Sequence, residues 1–232
     1  MSLNFEIDPK LFETLPNLKL GINYYTKIIV SESPQMLKGR LQLFQEQLFF
    51  ELEDKPLTEF PGIQEWRSVW KSFGADPNRY RHSTEALMRR IKKQNYLSPF
   101  HSAVDLNNFF SLQHVIPAGI YDADKIIGDV HITVGGEEDG YEGLNGRFNS
   151  LHNILLLKDD YSPFGSPFVD SIRTAVTEET TEALHVFFLR PSMETEDALE
   201  MTTATGKMFT SISGGDVQSF VLHEGQTSIK TK

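Results

Sequence analysis

The spacing of apolar side chains changes several times along the chain, and each change predicts an element. Residues 4–8 and 18–30 are dense in β-branched and aromatic side chains, the second run bracketed by Pro16 and Pro34, which predicts two strands. From Pro34, Leu37, Leu41, Phe44 and Leu48 recur at helical spacing, and a proline is tolerated in a first turn, so a helix runs to about Asp54-Lys55-Pro56. A second helix, about Thr58 to Phe73, carries the stripe Ile63, Trp66, Trp70, Phe73 and stops at Gly74. Its tryptophans could stack bases, but helical spacing in an amphipathic segment argues for core.

After the turn Asp76-Pro77-Asn78, Ser83 is the expected cap of a third helix reaching about Lys93, with Glu85 in its first turn. Pro99 interrupts, and a fourth helix over about Ser102 to Leu112 sets Asp105 and Asn108 three apart on one face. Asp105, near the helix start, is expected to bond neighbouring backbone; Asn108 stays open. Beyond Tyr121 the pattern is mostly strand. Val130, Ile132 and Val134 alternate with polar residues up to Gly135-Gly136, and Gly140, Gly143, Asn145 and Gly146 punctuate a hairpin. Residues 154–157 and 183–189 read as buried strands, with a long loop between them. A last helix, about Thr195 to Ile212, precedes Gly214-Gly215 and a closing strand over Asp216 to His223, and the tail after Gly225 is expected to fray. With no repeat and no long linker, the elements predict one α+β domain over 1–232, a sandwich core of mixed sheets flanked by helices.

Composition narrows the chemistry. Apolar residues make up 39% of the 232, enough for a sizeable core, and no apolar run reaches the length of a membrane span. The first residues lack a secretion signal, so a cytoplasmic protein is expected. Zero cysteines exclude disulfides, thiolate metal sites and a cysteine nucleophile. The seven histidines form no helical ligand pair, and the paired glycines form no phosphate cradle, so neither metal nor cofactor is expected. Ser162, Ser166 and Ser171 lack a nucleophile elbow; Glu178 and Glu179 could activate water but fit an exposed acidic turn. The net charge of −10 disfavours a large RNA footprint, although Arg79, Arg81, Arg89, Arg90, Lys92 and Lys93 make a local basic strip, either an RNA contact or a solvated helix face.

Three segments carry a family resemblance: Val104-Asp105 with Asn108-Phe109, Pro117 with Tyr121-Asp122, and Val176-Thr177 with Glu179-Thr180. In this order and spacing the chain resembles the B3/4 domain, the tRNA-binding and editing module of the bacterial phenylalanyl-tRNA synthetase beta chain, and specifically its free-standing relatives. The resemblance is strongest over 61–190, with 1–60 as strands and a helix packed on it. It implies a pocket that admits a wrongly attached tyrosine on the tRNA end and hydrolyses its ester.

Carried over by position, the motif asparagine is Asn108, and Asn107 stands where the family has threonine. The family's histidine falls on Gly119 and its arginine on Ser98, its paired small residues on about Asp170 and Ser171, and its glutamate near Val186, beside His185. The implied substrate-binding set is therefore Asn107, Asn108, Gly119, Ser171 and His185, the implied RNA contacts Arg81, Arg89, Arg90 and Lys93, and no catalytic side chain is assigned. Two readings stay open: a trans-acting aminoacyl-tRNA ester hydrolase, or a non-catalytic module that binds an aromatic amino acid, an RNA end or a protein. A complete tRNA ligase is not expected, since no ATP-binding motif is present.

Overall fold

The computed structural model describes residues 2–231. Strands β1 (Asn4–Ile7) and β2 (Leu20–Thr26) flank a single helical turn, α1 (Leu11–Thr14), and α2 (Gln35–Asp54), α3 (Pro61–Ser72), α4 (Ser83–Ile91) and α5 (Ser102–His114) follow in succession. Then come β3 (Ala118–Asp122), β4 (Val130–Val134), the hairpin β5 (Gly140–Glu142) and β6 (Phe148–Ser150), β7 (Leu155–Lys158), β8 (Pro163–Gly165) and β9 (Ala183–Phe188). Helix α6 (Thr195–Ser213) leads to β10 (Asp216–Leu222) and β11 (Ser228–Lys230).

Two sheets carry the architecture, in the order β11-β1-β4-β7-β8 and β10-β2-β9-β3. The second is wholly antiparallel, whereas β1 and β4 run parallel in the first. Period-two alternation divides the interior. Tyr24 on β2 and Leu184, Val186 and Phe188 on β9 join Phe5, Ile7, Val130, Ile132, Leu155 and Leu157 between the sheets. Their neighbours Tyr25, Ala183 and Phe187 face the other way, into a layer with Phe109, Phe110 and Phe209 from α5 and α6. His185 has the same parity as Phe187 and so lies in that layer, a ring centroid 4.2 Å from it.

Trp66 and Trp70 are wholly buried in the inter-sheet core, and the Trp66 indole N–H donates to the Phe188 carbonyl at 3.0 Å, so the pair is core and no stacking platform. Each such side chain contributes of order 1.5–3 kcal/mol through burial alone. Gln45 breaks the apolar stripe of α2, yet it is buried, because its amide bonds the backbone of Leu97 in both directions, at 2.7 and 3.3 Å, and anchors the chain after α4.

Four local expectations are corrected. The second run ends as a strand at Thr26, since Lys27 takes a left-handed φ of 56°. The cap of α4 is His82, whose ring accepts the Glu85 N–H, and Ser83 is the first helical residue. Residues 163–165 in the long loop form a strand on β7. The tail after Gly225 is not frayed: β11 pairs antiparallel with β1, placing Asn4 opposite Lys230. No helix among the described residues is long and apolar enough to cross a membrane.

Candidate functional site

Strand β3 lies at the edge of its sheet, and the helices beside it do not fill the space over its helix-side residues Ala118 and Ile120. The result is an open cavity of about 700 Å³. Helix α5 lines it with Val104, Asn107, Asn108 and Ser111, one stripe at i, i+3, i+4 and i+7. Helix α4 adds Ser83, Ala86 and Leu87, and the loops after β5 and β8 add Leu144, Asn145 and residues 168–171. The exposed Arg79, Arg81 and Phe100 complete the lining with Ala175 and Val176. Such a volume suits a small organic ligand, and the walls are mainly apolar with a few polar groups.

Two of those groups are the adjacent asparagines. Asn108 has no hydrogen-bond partner among the described residues and leaves its whole amide to the cavity. Asn107 accepts through Oδ1 from the Nε2–H of His185 at 3.1 Å, and the other ring nitrogen faces the Tyr25 hydroxyl at 3.3 Å. Burial pushes the His185 imidazole down to about 3, so the ring stays neutral. With its proton on Nε2, Nδ1 accepts from Tyr25, and Asn107 presents its amide N–H groups to the cavity. His185 is therefore not part of the cavity lining; its ring bonds the Asn107 side chain, which is.

The third group was not singled out from the sequence. Asp170 lines the cavity, and its Oδ1 accepts from the Tyr121 hydroxyl at 2.6 Å. Burial raises the Asp170 carboxyl to about 7, against the opposing bonds from Tyr121 and the Ser166 backbone. Gly119 gives this pair its room: a Cβ there would lie 2.1 Å from the Tyr121 hydroxyl and 2.9 Å from Asp170 Oδ1. A Cβ at Gly165 would lie 2.4 Å from the same hydroxyl, so the phenol occupies a slot between two glycines. Gly119 has no side chain of its own here, and its space goes to the Tyr121–Asp170 pair. Ser171 lines the cavity, its hydroxyl accepting the Arg173 N–H at 3.1 Å.

The basic strip is not one free face. Arg81 lines the cavity, whereas Arg89 is engaged with Glu85 at 2.8 Å, and Arg90 and Lys93 are exposed outside the lining. Glu178 and Glu179 sit in an exposed turn closed by Thr180, whose Oγ1 accepts the Thr177 N–H at 3.0 Å. Asp105 is buried, accepting from the Ser33 hydroxyl at 2.5 Å and the Phe100 N–H at 3.0 Å, the structural role its position predicts. No group of three or more His, Asp or Glu among the described residues is placed to hold a metal.

The B3/4 domain family matches residues 65–209, which contain all the cavity-lining residues. The uncharacterized protein YhzB of Bacillus subtilis (strain 168) is 33% identical over 214 residues, 92% of this chain and 96% of the relative. The phenylalanine–tRNA ligase beta subunit of Mycoplasmoides gallisepticum is 32% identical over 88 residues, 37% of this chain and only 11% of that subunit. Among solved structures, the crystal structure of an N-terminal fragment of the phenylalanyl-tRNA synthetase beta subunit from Pyrococcus horikoshii is similar over 98% of this chain and 54% of the fragment, with a TM-score of 0.46 and 15% identity.

Proposed function

Because the chain belongs to the B3/4 domain family, we propose that its cavity receives the aminoacyl end of a transfer RNA and that the ester there is hydrolysed. The observation that carries this reading is the placement of Asn107 and Asn108, side by side on α5, with both amides opening into a cavity of about 700 Å³. Leu87, Val104, Ile120 and Val176 offer an apolar wall for an amino-acid side chain, and the exposed Arg79 and Arg81 suit the ribose-phosphate that follows. No nucleophilic side chain is required. The Asn107 N–H groups hold the ester carbonyl oxygen, and the Asn108 amide orients a water whose oxygen attacks the carbonyl carbon as the ribose oxygen leaves with a proton.

A second reading is a non-catalytic module for an amino acid. Gly119 favours it, since the position carries no side chain and its space belongs to Tyr121. Deacylation of tRNA charged with tyrosine and with a panel of other amino acids separates the two, with Asn108→Ala as control. Hydrolysis above the control supports the trans-acting hydrolase. No hydrolysis across the panel by folded protein overturns it and leaves the binding module.

A further inference from the structure

Four acids are buried among the described residues, and three of them meet a cation. Glu85 is paired with Arg67 at 3.1 Å and Arg89 at 2.8 Å, and Asp159 with Arg173 at 3.0 Å plus the N–H groups of Ile127, Tyr161 and Ser162. Asp122 meets Lys125 at 3.2 Å and the Thr180 hydroxyl, and Asp105 takes the Phe100 N–H and the Ser33 hydroxyl. Asp170 shares with Asp105 the lack of a cation, but it alone of the five lines the cavity. It lies in the cavity wall beside Val169 and Ile120, receives one phenol and one backbone N–H, and has no cation within ion-pair distance among the described residues.

A carboxyl set in an apolar wall without a counter-charge is costly when ionised, and a cation arriving with the ligand removes that cost. We infer that Asp170 is the seat for the α-ammonium group of the amino acid that enters this cavity. The inference rests on the proposed aminoacyl ligand and narrows it to one class: an aminoacyl group with a free amine, in preference to N-acylated or peptidyl forms. The slot between Gly119 and Gly165 makes this possible, because it holds the Tyr121 hydroxyl on Oδ1 while the residue stays in the cavity lining. The charged or titratable groups that face Asp170 are Tyr121 on β3, Tyr141 on β5, and Arg79 and Arg81 on the cavity lining. The phenols stay neutral, both pushed far above their usual range by burial, and neither arginine reaches the carboxyl.

Calorimetry with four hydrolysis-resistant probes tests this on the full chain at pH 7.5. These are 3′-amino-3′-deoxyadenosine carrying amide-linked L-phenylalanine, its N-acetyl form, its 3-phenylpropanoyl analogue without the amine, and phenethylamine. The free-amine nucleoside is expected to bind at least about tenfold more tightly than the two amine-blocked or amine-less forms, as a charge-assisted contact implies. Asp170→Asn is expected to abolish that preference, while Tyr121→Phe, which keeps the carboxylate, retains it; thermal melts check that both fold. Equal binding of the three nucleosides, or a preference surviving Asp170→Asn, overturns the ammonium seat and leaves the aminoacyl reading standing. Phenethylamine bound by the wild type and lost in Asp170→Asn, with no nucleoside bound, keeps the seat and overturns the tRNA reading. Binding of none of the four overturns the seat.

Discussion

The α3–α4 junction and the cavity wall each set an acid against apolar surroundings, and they treat it in opposite ways. At the junction Glu85 is 1% exposed and sits under two guanidinium groups and beside the His82 ring, so its charge is neutralised by the fold itself. At the wall Asp170 has a phenol, a backbone N–H and, among the described residues, no cation within ion-pair distance. A paired buried acid locks elements together; an unpaired one raises the energy of the empty protein and lowers it only when something enters. The same residue chemistry thus makes a clamp in one place and, in the other, the seat proposed for a ligand's cation.

Removing a partner from the clamp gives the largest expected effect. Arg67→Met leaves Glu85 half neutralised in the interior, and urea denaturation should show a loss of about 3 kcal/mol. A change within error would mean that Glu85 is not the clamp described. The converse substitution at the wall should stabilise. The Asp170 carboxyl has a folded value of about 7 against about 3.9 in an unfolded chain, so the stability it contributes is fully present below pH 4 and is lost as pH rises through 7. Discounted for the part of the carboxyl that meets the open cavity, Asp170→Asn should gain roughly 2 kcal/mol relative to wild type between pH 5 and pH 8. Parallel stability curves for the two proteins would remove the contrast between the regions.

His82 and His185 sharpen the comparison from the acid side. Burial holds them at about 4 and about 3, below the usual 6.5, so their contribution is present above pH 6.5 and is lost as pH falls toward those values. His185→Gln should flatten the fall between pH 6.5 and 4, at a neutral-pH loss of about 1 to 3 kcal/mol from the stranded Tyr25 and Asn107 groups. Chemical denaturation across that range checks both. The smallest effect belongs to the surface: Arg90→Ala and Lys93→Ala should change stability by less than about 0.5 kcal/mol. If tRNA is the ligand, Arg81→Ala should weaken its binding more than either, with a shallower salt dependence in a filter-binding titration.

The elements with a sustained period were legible in the sequence. The stripes of α2 and α3, the alternation of β4 and the Pro99 break before α5 each follow from local spacing. Strands β8 and β11 were not, because three residues acquire their conformation from the strand they pair with. The site divided in the same way. Asn107 and Asn108 lie in one motif and could be found there; the link to His185 spans β9 and α5. Asp170 was passed over because its setting is assembled from Gly119, Tyr121 and Gly165, far apart in the chain. Arg89 looked free in the basic strip because Glu85, one turn away on the same helix, reads as a single acid among six bases until burial is known.

The pairing of β1 with β11 has a consequence of its own. With Asn4 opposite Lys230, entry and exit lie one strand spacing apart on the same sheet edge. Such a fold can be grafted into a surface loop of a host polypeptide, or have its ends joined and be reopened elsewhere, with little distortion of the rest. A circular permutant opened at the exposed turn around Gly146 is the form in which that modularity would be visible.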